Sequence, residues 1–169
     1  MTTKSVSPSN EPANAPVGRE PNSPQRILVV EDDAAIRRIN TEILKGSGYQ
    51  VEAAEDGAAA WDALQLNDYD LVVTDNDMPK VTGVELIQKL RTARMSLPVI
   101  MATGVPPEEI FTRHGMLPPA MTLLKPYTFQ ELLTAVKNVL RAASDTLGEI
   151  GPAATWQAPP VADGVRLWR

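Results

Sequence analysis

Short apolar runs that each end in a polar group constrain this chain more than any other feature of its sequence. Ile27-Leu28-Val29-Val30 runs into Glu31-Asp32-Asp33, Leu71-Val72-Val73-Thr74 into Asp75, and Leu123-Leu124 into Lys125-Pro126. A further run, Pro98-Val99-Ile100-Met101-Ala102, closes on Thr103-Gly104. Ile27 to Val30 is a short β-branched run, the mark of a strand buried on both faces.

The stretches between them carry helical spacing. Ala34 to Lys45 places Ile36, Ile39 and Ile43 at that spacing, and Gly46 and Gly48 follow, as helix ends prefer. Val51 to Ala54 reads as a weak strand, closed by Asp56-Gly57. A helix over Ala58 to Leu66 puts Trp61 and Leu64 on one face, with Trp61 assigned to the core. Met78-Pro79 breaks the chain after Asp75, and Val84, Leu86, Ile87 and Leu90 mark a helix from about Thr82 to Arg94. The stretch entered through Pro106-Pro107 and left by Gly115 and Pro118-Pro119 has room for a short helix only. Met121 to Leu124 is the last strand, stopped by Pro126. Thr128 with Glu131 forms a capping box ahead of Leu132, Leu133, Val136, Val139 and Leu140, in a helix reaching about Ala143.

Five strands alternating with helices predict an α/β fold, a doubly wound parallel sheet with right-handed crossovers and helices on both faces. Such open sheets bind ligands beyond the carboxyl ends of their strands. All the polar groups named above fall at those ends. The sheet accounts for residues 26–143. Residues 1–25 hold Pro8, Pro12, Pro16, Pro21 and Pro24 among Ser, Asn and Glu, too little apolar surface to offset ordering entropy, and are expected to be a disordered tail. Residues 144–169 are rich in Gly, Ala and Pro, with Trp156 and Trp168 isolated among them, and are expected to be a flexible tail.

Composition removes several function classes. A net charge of −5 argues against direct nucleic-acid binding, which favours a basic patch. The absence of cysteine excludes disulfides, thiolate metal sites and thiol nucleophiles. A single histidine, His114, excludes a multi-histidine metal site; its setting fits a helix C-terminus. No apolar stretch approaches the roughly 20 residues that span a bilayer, and Met1-Thr2-Thr3-Lys4-Ser5 lacks the apolar core of a secretory signal. A soluble, cytoplasmic protein without membrane association is the expectation.

Glu31, Asp32 and Asp75 at one sheet edge would crowd like charges. Two carboxylates about 4 Å apart repel by about 4 kcal/mol at an effective dielectric of about 20, and Lys125 alone leaves surplus negative charge. A hard cation with oxygen ligands fits best, and Mg²⁺ favours one or two carboxylates, water and a substrate phosphate. Asp75 is then placed as a nucleophile able to form an acyl phosphate. The cation, the Lys125 ammonium, the Thr103 hydroxyl and backbone N–H groups could share the charge of a transferring phosphoryl group.

The stretches ILVVEDD, DLVVTDNDMPKVTGVEL, PVIMATG and LLKPYTFQEL, in this order and spacing, resemble the receiver domain of two-component response regulators, over Arg26 to about Ala143. The resemblance implies a stand-alone, chemotaxis-receiver-like domain of flavodoxin-like fold with five parallel strands in the order 2-1-3-4-5. It implies that Asp75 is the phosphoacceptor, that Glu31 and Asp32 are the acidic pair, and that Asp32, Asp75 and the backbone carbonyl of Asp77 ligate Mg²⁺. Thr103 would bond the phosphoryl group, Lys125 would pair with it, and Gly104 and Asp77 would offer backbone N–H groups. The donor would be a histidine kinase or a histidine phosphotransfer protein, and output would pass by protein contacts or onward phosphotransfer. Such a domain is a phosphoacceptor switch rather than an enzyme. Two features depart from the family: Thr122 stands where an aromatic residue is usual, and the fourth helix is abnormally bounded by prolines. A degenerate receiver acting as a scaffold is the alternative these departures raise. Asp75-Asn76-Asp77 also resembles the Asp-x-Asp of haloacid-dehalogenase-type phosphatases. There the nucleophile strand comes first and the further acids last; here Glu31 and Asp32 precede Asp75.

Overall fold

Each apolar run forms a strand; neighbouring strands satisfy its backbone N–H and C=O groups, and helices cover its two apolar faces. A computed structural model describes residues 23–106 and 118–148. In chain order the elements are β1 (Arg26–Val30), α1 (Ala34–Gly46), β2 (Gln50–Ala54), α2 (Gly57–Leu66), β3 (Leu71–Asp75), α3 (Gly83–Thr92), β4 (Val99–Thr103), β5 (Met121–Leu124) and α4 (Phe129–Gly148). Most of the expected N-terminal tail, the helix expected after Pro106, His114, Trp156 and Trp168 lie outside the described residues.

All strand pairs are parallel, in the order β2-β1-β3-β4-β5. Alternation along each strand divides the core in two. Leu28, Val30, Val72, Val99 and Met101 point to the face covered by α2 and α3, where they meet Leu64, Leu86, Ile87 and Leu90. Ile27, Val29, Leu71, Val73 and Ile100 point to the other face, where they meet Leu44 of α1 and Leu132, Val136 and Leu140 of α4. A fully buried side chain of this size contributes about 1.5–3 kcal/mol. Two or three of them therefore offset the repulsion of a carboxylate pair at the sheet edge.

Helix ends follow local chemistry. Asp33 caps α1, its Oδ1 accepting from the N–H groups of Ala35 and Ile36 at 2.8 and 2.9 Å. The Thr128–Glu131 capping box forms as expected, with Glu131 accepting from the Thr128 N–H and Thr128 Oγ1 accepting from the Glu131 N–H. A second box, Thr82 with Glu85, opens α3.

Several expectations need correction. Ile36, Ile39 and Ile43 do mark a helix, but its buried residues are Asn40, Thr41 and Leu44; Ile36 and Ile39 remain 39% and 42% exposed. Both sets have helical spacing, and only docking on the sheet chooses between them. The last helix does not stop near Ala143 but continues to Gly148. Ser144, which opens the expected tail, is absorbed by donating its hydroxyl to the Leu140 carbonyl at 3.0 Å. At the other boundary the Gln25 carbonyl already accepts from the Gln50 N–H, so ordered pairing starts inside the expected N-terminal tail. Trp61 is only half-buried, packing against the rim of the core with the Lys89 ammonium 5.5 Å from its ring. Among the described residues no helix is long and apolar enough to cross a membrane.

Candidate functional site

Parallel register decides which polar groups meet. Val30 pairs with Thr74, Asp75 with Ala102, and Thr103 with Leu124, so Glu31, Asp75, Thr103 and Lys125 emerge together at the carboxyl edge. Carboxylate oxygens of Glu31, Asp32 and Asp75 all lie within 4.8 Å of one another. Glu31 and Asp75 are buried and Asp32 is exposed, so the cluster opens to solvent on one side.

Both oxygens of Asp75 are held. Oδ1 accepts from the N–H of Asn76 at 2.6 Å and of Asp77 at 3.3 Å. Oδ2 pairs with the Lys125 ammonium at 2.8 Å, and the same ammonium lies 3.6 Å from Glu31 Oε2. Lys125 follows β5 directly, its own N–H donating to the Thr103 carbonyl at 2.8 Å. Burial pushes the Glu31 carboxyl up to about 7, the Asp75 charge adds to the shift, and Lys125 opposes it. Burial works against the Lys125 ammonium, but its bond to Asp75 and the nearby charges of Asp75 and Glu31 prevail and raise its pKa.

The other expected residues are placed less directly. Thr103 is fully buried at the end of β4, and its Oγ1 accepts from the Val105 N–H at 3.2 Å, engaged with its own loop. Gly104 is exposed beside it. Asp77 turns its N–H to Asp75, while its exposed carboxylate accepts from the Asn76 amide at 3.2 Å. Thr122 is half-buried on β5, opposite Met101.

The model of the response regulator receiver domain matches residues 27–137. The chain belongs to that family. Among receiver-containing proteins it is 36% identical over 135 residues to the response regulator MprA of Mycobacterium sp. (strain KMS), a match covering 79% of this chain and 58% of that protein. It is 29% identical over 124 residues to the transcriptional regulatory protein CusR of Escherichia coli (strain K12), covering 73% of this chain and 55% of that protein. The receiver chain thus spans well under two thirds of the curated relatives it matches. Among solved structures, the chemotaxis response regulator CheY4 of Vibrio cholerae superposes with a TM-score of 0.63 at 28% identity, covering 69% of this chain and 98% of that one. The response regulator TrrA of Thermotoga maritima, solved in complex with Mg²⁺-BeF, does so with a TM-score of 0.61 at 30% identity, covering 68% and 98%.

Several residues that build this receiver's site escape a reading by motif. Arg37 sends one guanidinium nitrogen to the carbonyls of Glu31 at 2.6 Å and Asp32 at 3.1 Å, fixing the backbone of the acidic pair. Its position one turn into α1 was the only signal available. Asn40, buried on the same helix, donates to the Tyr127 hydroxyl at 3.1 Å and ties α1 to the segment after Lys125. Gly83 lets the start of α3 press against the Asp75 carbonyl, where a Cβ would collide with backbone.

Proposed function

We propose that this receiver accepts a phosphoryl group on Asp75 from a histidine kinase or histidine phosphotransfer protein, with Mg²⁺ as cofactor. The observation carrying the proposal is the position of Asp75: held at both oxygens, at the strand edge, inside a cluster of three carboxyl groups with one ammonium. The donor set fits Mg²⁺, since it is all oxygen, anionic, and open to solvent at Asp32. Glu31, Asp32, Asp75 and the Asp77 carbonyl would hold the ion. When bound it would neutralise charge on the transferring group and screen the carboxylates from each other.

An Asp75 carboxylate oxygen forms the new O–P bond of an acyl phosphate while the N–P bond of the donor phosphohistidine breaks, and the imidazole leaves with its electron pair. The Asn76 and Asp77 N–H groups aim the carboxylate. Lys125, released from Asp75 as that oxygen loses charge, remains beside it to pair with a phosphoryl oxygen. The Thr103 hydroxyl needs only to exchange its bond with Val105 for one to the phosphoryl group, and Gly104 supplies a backbone N–H. The new charge then biases the loop after β4, as added phosphoryl groups do elsewhere. Output passes through protein contacts or onward phosphotransfer; that nucleic acid is not contacted rests on the net charge alone.

The donor has a surface to dock on. Ile36 and Ile39 are exposed on α1, which starts directly after the acidic pair. The scaffold alternative draws on Thr122, but a degenerate receiver has no use for the intact acid and lysine constellation. Motif order, acids on β1 before Asp75 on β3, and family membership leave nothing to the phosphatase alternative. The test is incubation with Mg²⁺ and acetyl phosphate, reading intact mass. A phosphoryl increment lost in Asp75→Asn and without metal supports the proposal. No increment, and no beryllofluoride binding, refutes it.

A further inference from the structure

Lys80, in the loop from β3 to α3, has a backbone φ of 64°. This left-handed conformation costs an L-residue about 1–2 kcal/mol, and glycine is the residue that adopts it freely. A lysine kept there points to a use for its side chain. The ammonium reaches Asp56 Oδ2 at 2.5 Å, and Asp56 is only 2% exposed. The other Asp56 oxygen caps α2, accepting from the N–H groups of Ala58 and Ala59 at 2.9 and 2.8 Å. One buried carboxylate therefore joins the start of α2 to the loop that follows Asp75.

The contact beside it is equally close. A Cβ on Gly57 would lie 2.5 Å from the Val81 carbonyl oxygen and 2.8 Å from its Cγ1. The loop itself is anchored at its ends, by the Asn76 N–H on the Ala102 carbonyl at 2.9 Å and the Gly83 N–H on the Asn76 carbonyl at 3.2 Å. Between those ends Met78 is buried, whereas Asp77, Pro79 and Lys80 face solvent. The Lys80–Asp56 pair and the Gly57–Val81 contact tie the outer half of the loop to the start of α2. Within the loop the Met78 N–H donates to the Asn76 carbonyl at 3.2 Å and the Val81 N–H to the Pro79 carbonyl at 2.8 Å.

We infer that Lys80 and Asp56 form a latch that positions the Asp77 backbone carbonyl for Mg²⁺, making both of them positioning residues for phosphoryl transfer. The inference rests on the proposed Mg²⁺-dependent phosphorylation of Asp75. A free loop would have to be ordered at each binding event, and the latch supplies that order in advance. Outer residues that orient metal ligands typically alter affinity by about 10–100-fold.

Lys80→Gly separates this role from a structural one. It removes the latch and relieves the left-handed strain, but leaves the buried Asp56 carboxylate held only by the Ala58 and Ala59 N–H groups. Some stability is therefore expected to be lost, and affinity and exchange are read well below the melting temperature. It also removes a positive charge near the site, which by itself would tighten Mg²⁺ binding. A latch predicts the opposite sign: Mg²⁺ affinity by calorimetry falls about tenfold, and amide exchange of residues 77–82 accelerates in the metal-free protein. The acetyl phosphate reaction recovers at saturating Mg²⁺, and Lys80→Arg restores both affinity and exchange. Asp56→Ser, which keeps the helix cap and loses the ion pair, should behave as Lys80→Gly does. Wild-type Mg²⁺ affinity and loop exchange in Lys80→Gly would overturn the latch and leave the proposed function standing. A wild-type protein that binds no Mg²⁺ would overturn both.

Discussion

Glu31 carries a charge problem that pH exposes directly. Burial, then the Asp75 charge, raise its carboxyl to about 7, against 4.5 for an ordinary glutamate. Between those values the folded protein binds a proton that the unfolded chain has released, so metal-free stability falls as pH rises. The contribution is fully present below about 4.5 and lost through about 7, and the shift corresponds to about 3 kcal/mol. In EDTA, Glu31→Gln should therefore gain roughly 10 °C in melting temperature on the wild type between about pH 5 and about pH 8. A difference that stays constant across that range contradicts the assignment. Steric limits at single residues are as sharp. Gly83→Ala would drive a Cβ into the Asp75 carbonyl, a backbone atom that cannot swing aside. A loss of about 3 kcal/mol in urea unfolding is expected. Gly46→Ala, where a Cβ meets nothing within 4 Å, should be tolerated; equal losses in the two would refute the packing argument.

At the scale of an element, α1 has two faces with different surroundings. Its inner face, Asn40, Thr41 and Leu44, holds the sheet and reaches Tyr127. Its outer face shows Ile36 and Ile39 within the first two turns after the acidic pair. Ile36 and Ile39 belong to neither core cluster, so replacing them with glutamine should change stability by no more than about 1 kcal/mol. If that face docks the phosphodonor, Ile36→Gln with Ile39→Gln should slow transfer from a histidine-phosphorylated protein about tenfold or more. Labelling by acetyl phosphate, which needs no docking surface, should stay at the wild-type rate. Slowing of both reactions would place the isoleucines in the site's own support rather than in recognition. The two faces also explain why the helix was legible from sequence while its orientation was not. Helical spacing is satisfied by 36, 39 and 43 and equally by 40, 41 and 44.

For the whole molecule, legibility followed the number of constraints acting on each residue. The runs of β1, β3 and β4 are covered on both sides, so their sequence admits little except a strand. Parallel connection sends these carboxyl ends, with that of the half-buried edge strand β5, to the same edge. Glu31, Asp75 and Lys125 were readable for that reason. Lys80 and Asp56 were not, because their contact joins two loops whose paths the strands do not dictate. Arg37 was not, because its bond from α1 back to the acidic pair depends on how the chain turns between β1 and α1. The end of α4 was misplaced for a related cause: residues of poor helix propensity continue a helix when nothing breaks it. The same convergence at one edge should make the stability of the receiver respond to the cation proposed for the site. Three carboxyl groups within 4.8 Å oppose folding when the metal is absent. A ligand at about 100 times its dissociation constant stabilises the folded state by about 2.7 kcal/mol. Adding Mg²⁺ to the wild type near pH 8 should therefore raise the melting temperature by roughly 10 °C. Asp32→Asn removes one of the charges at the solvent-facing side of the cluster. It should melt slightly above the wild type in EDTA, because repulsion is relieved, and should lose most of the Mg²⁺ increment, because a ligand is gone. Opposite signs in the two conditions are the signature of a cation site built from mutually repelling acids. A wild type indifferent to Mg²⁺, or an Asp32→Asn variant that keeps the full increment, would mean that the cluster is not the site.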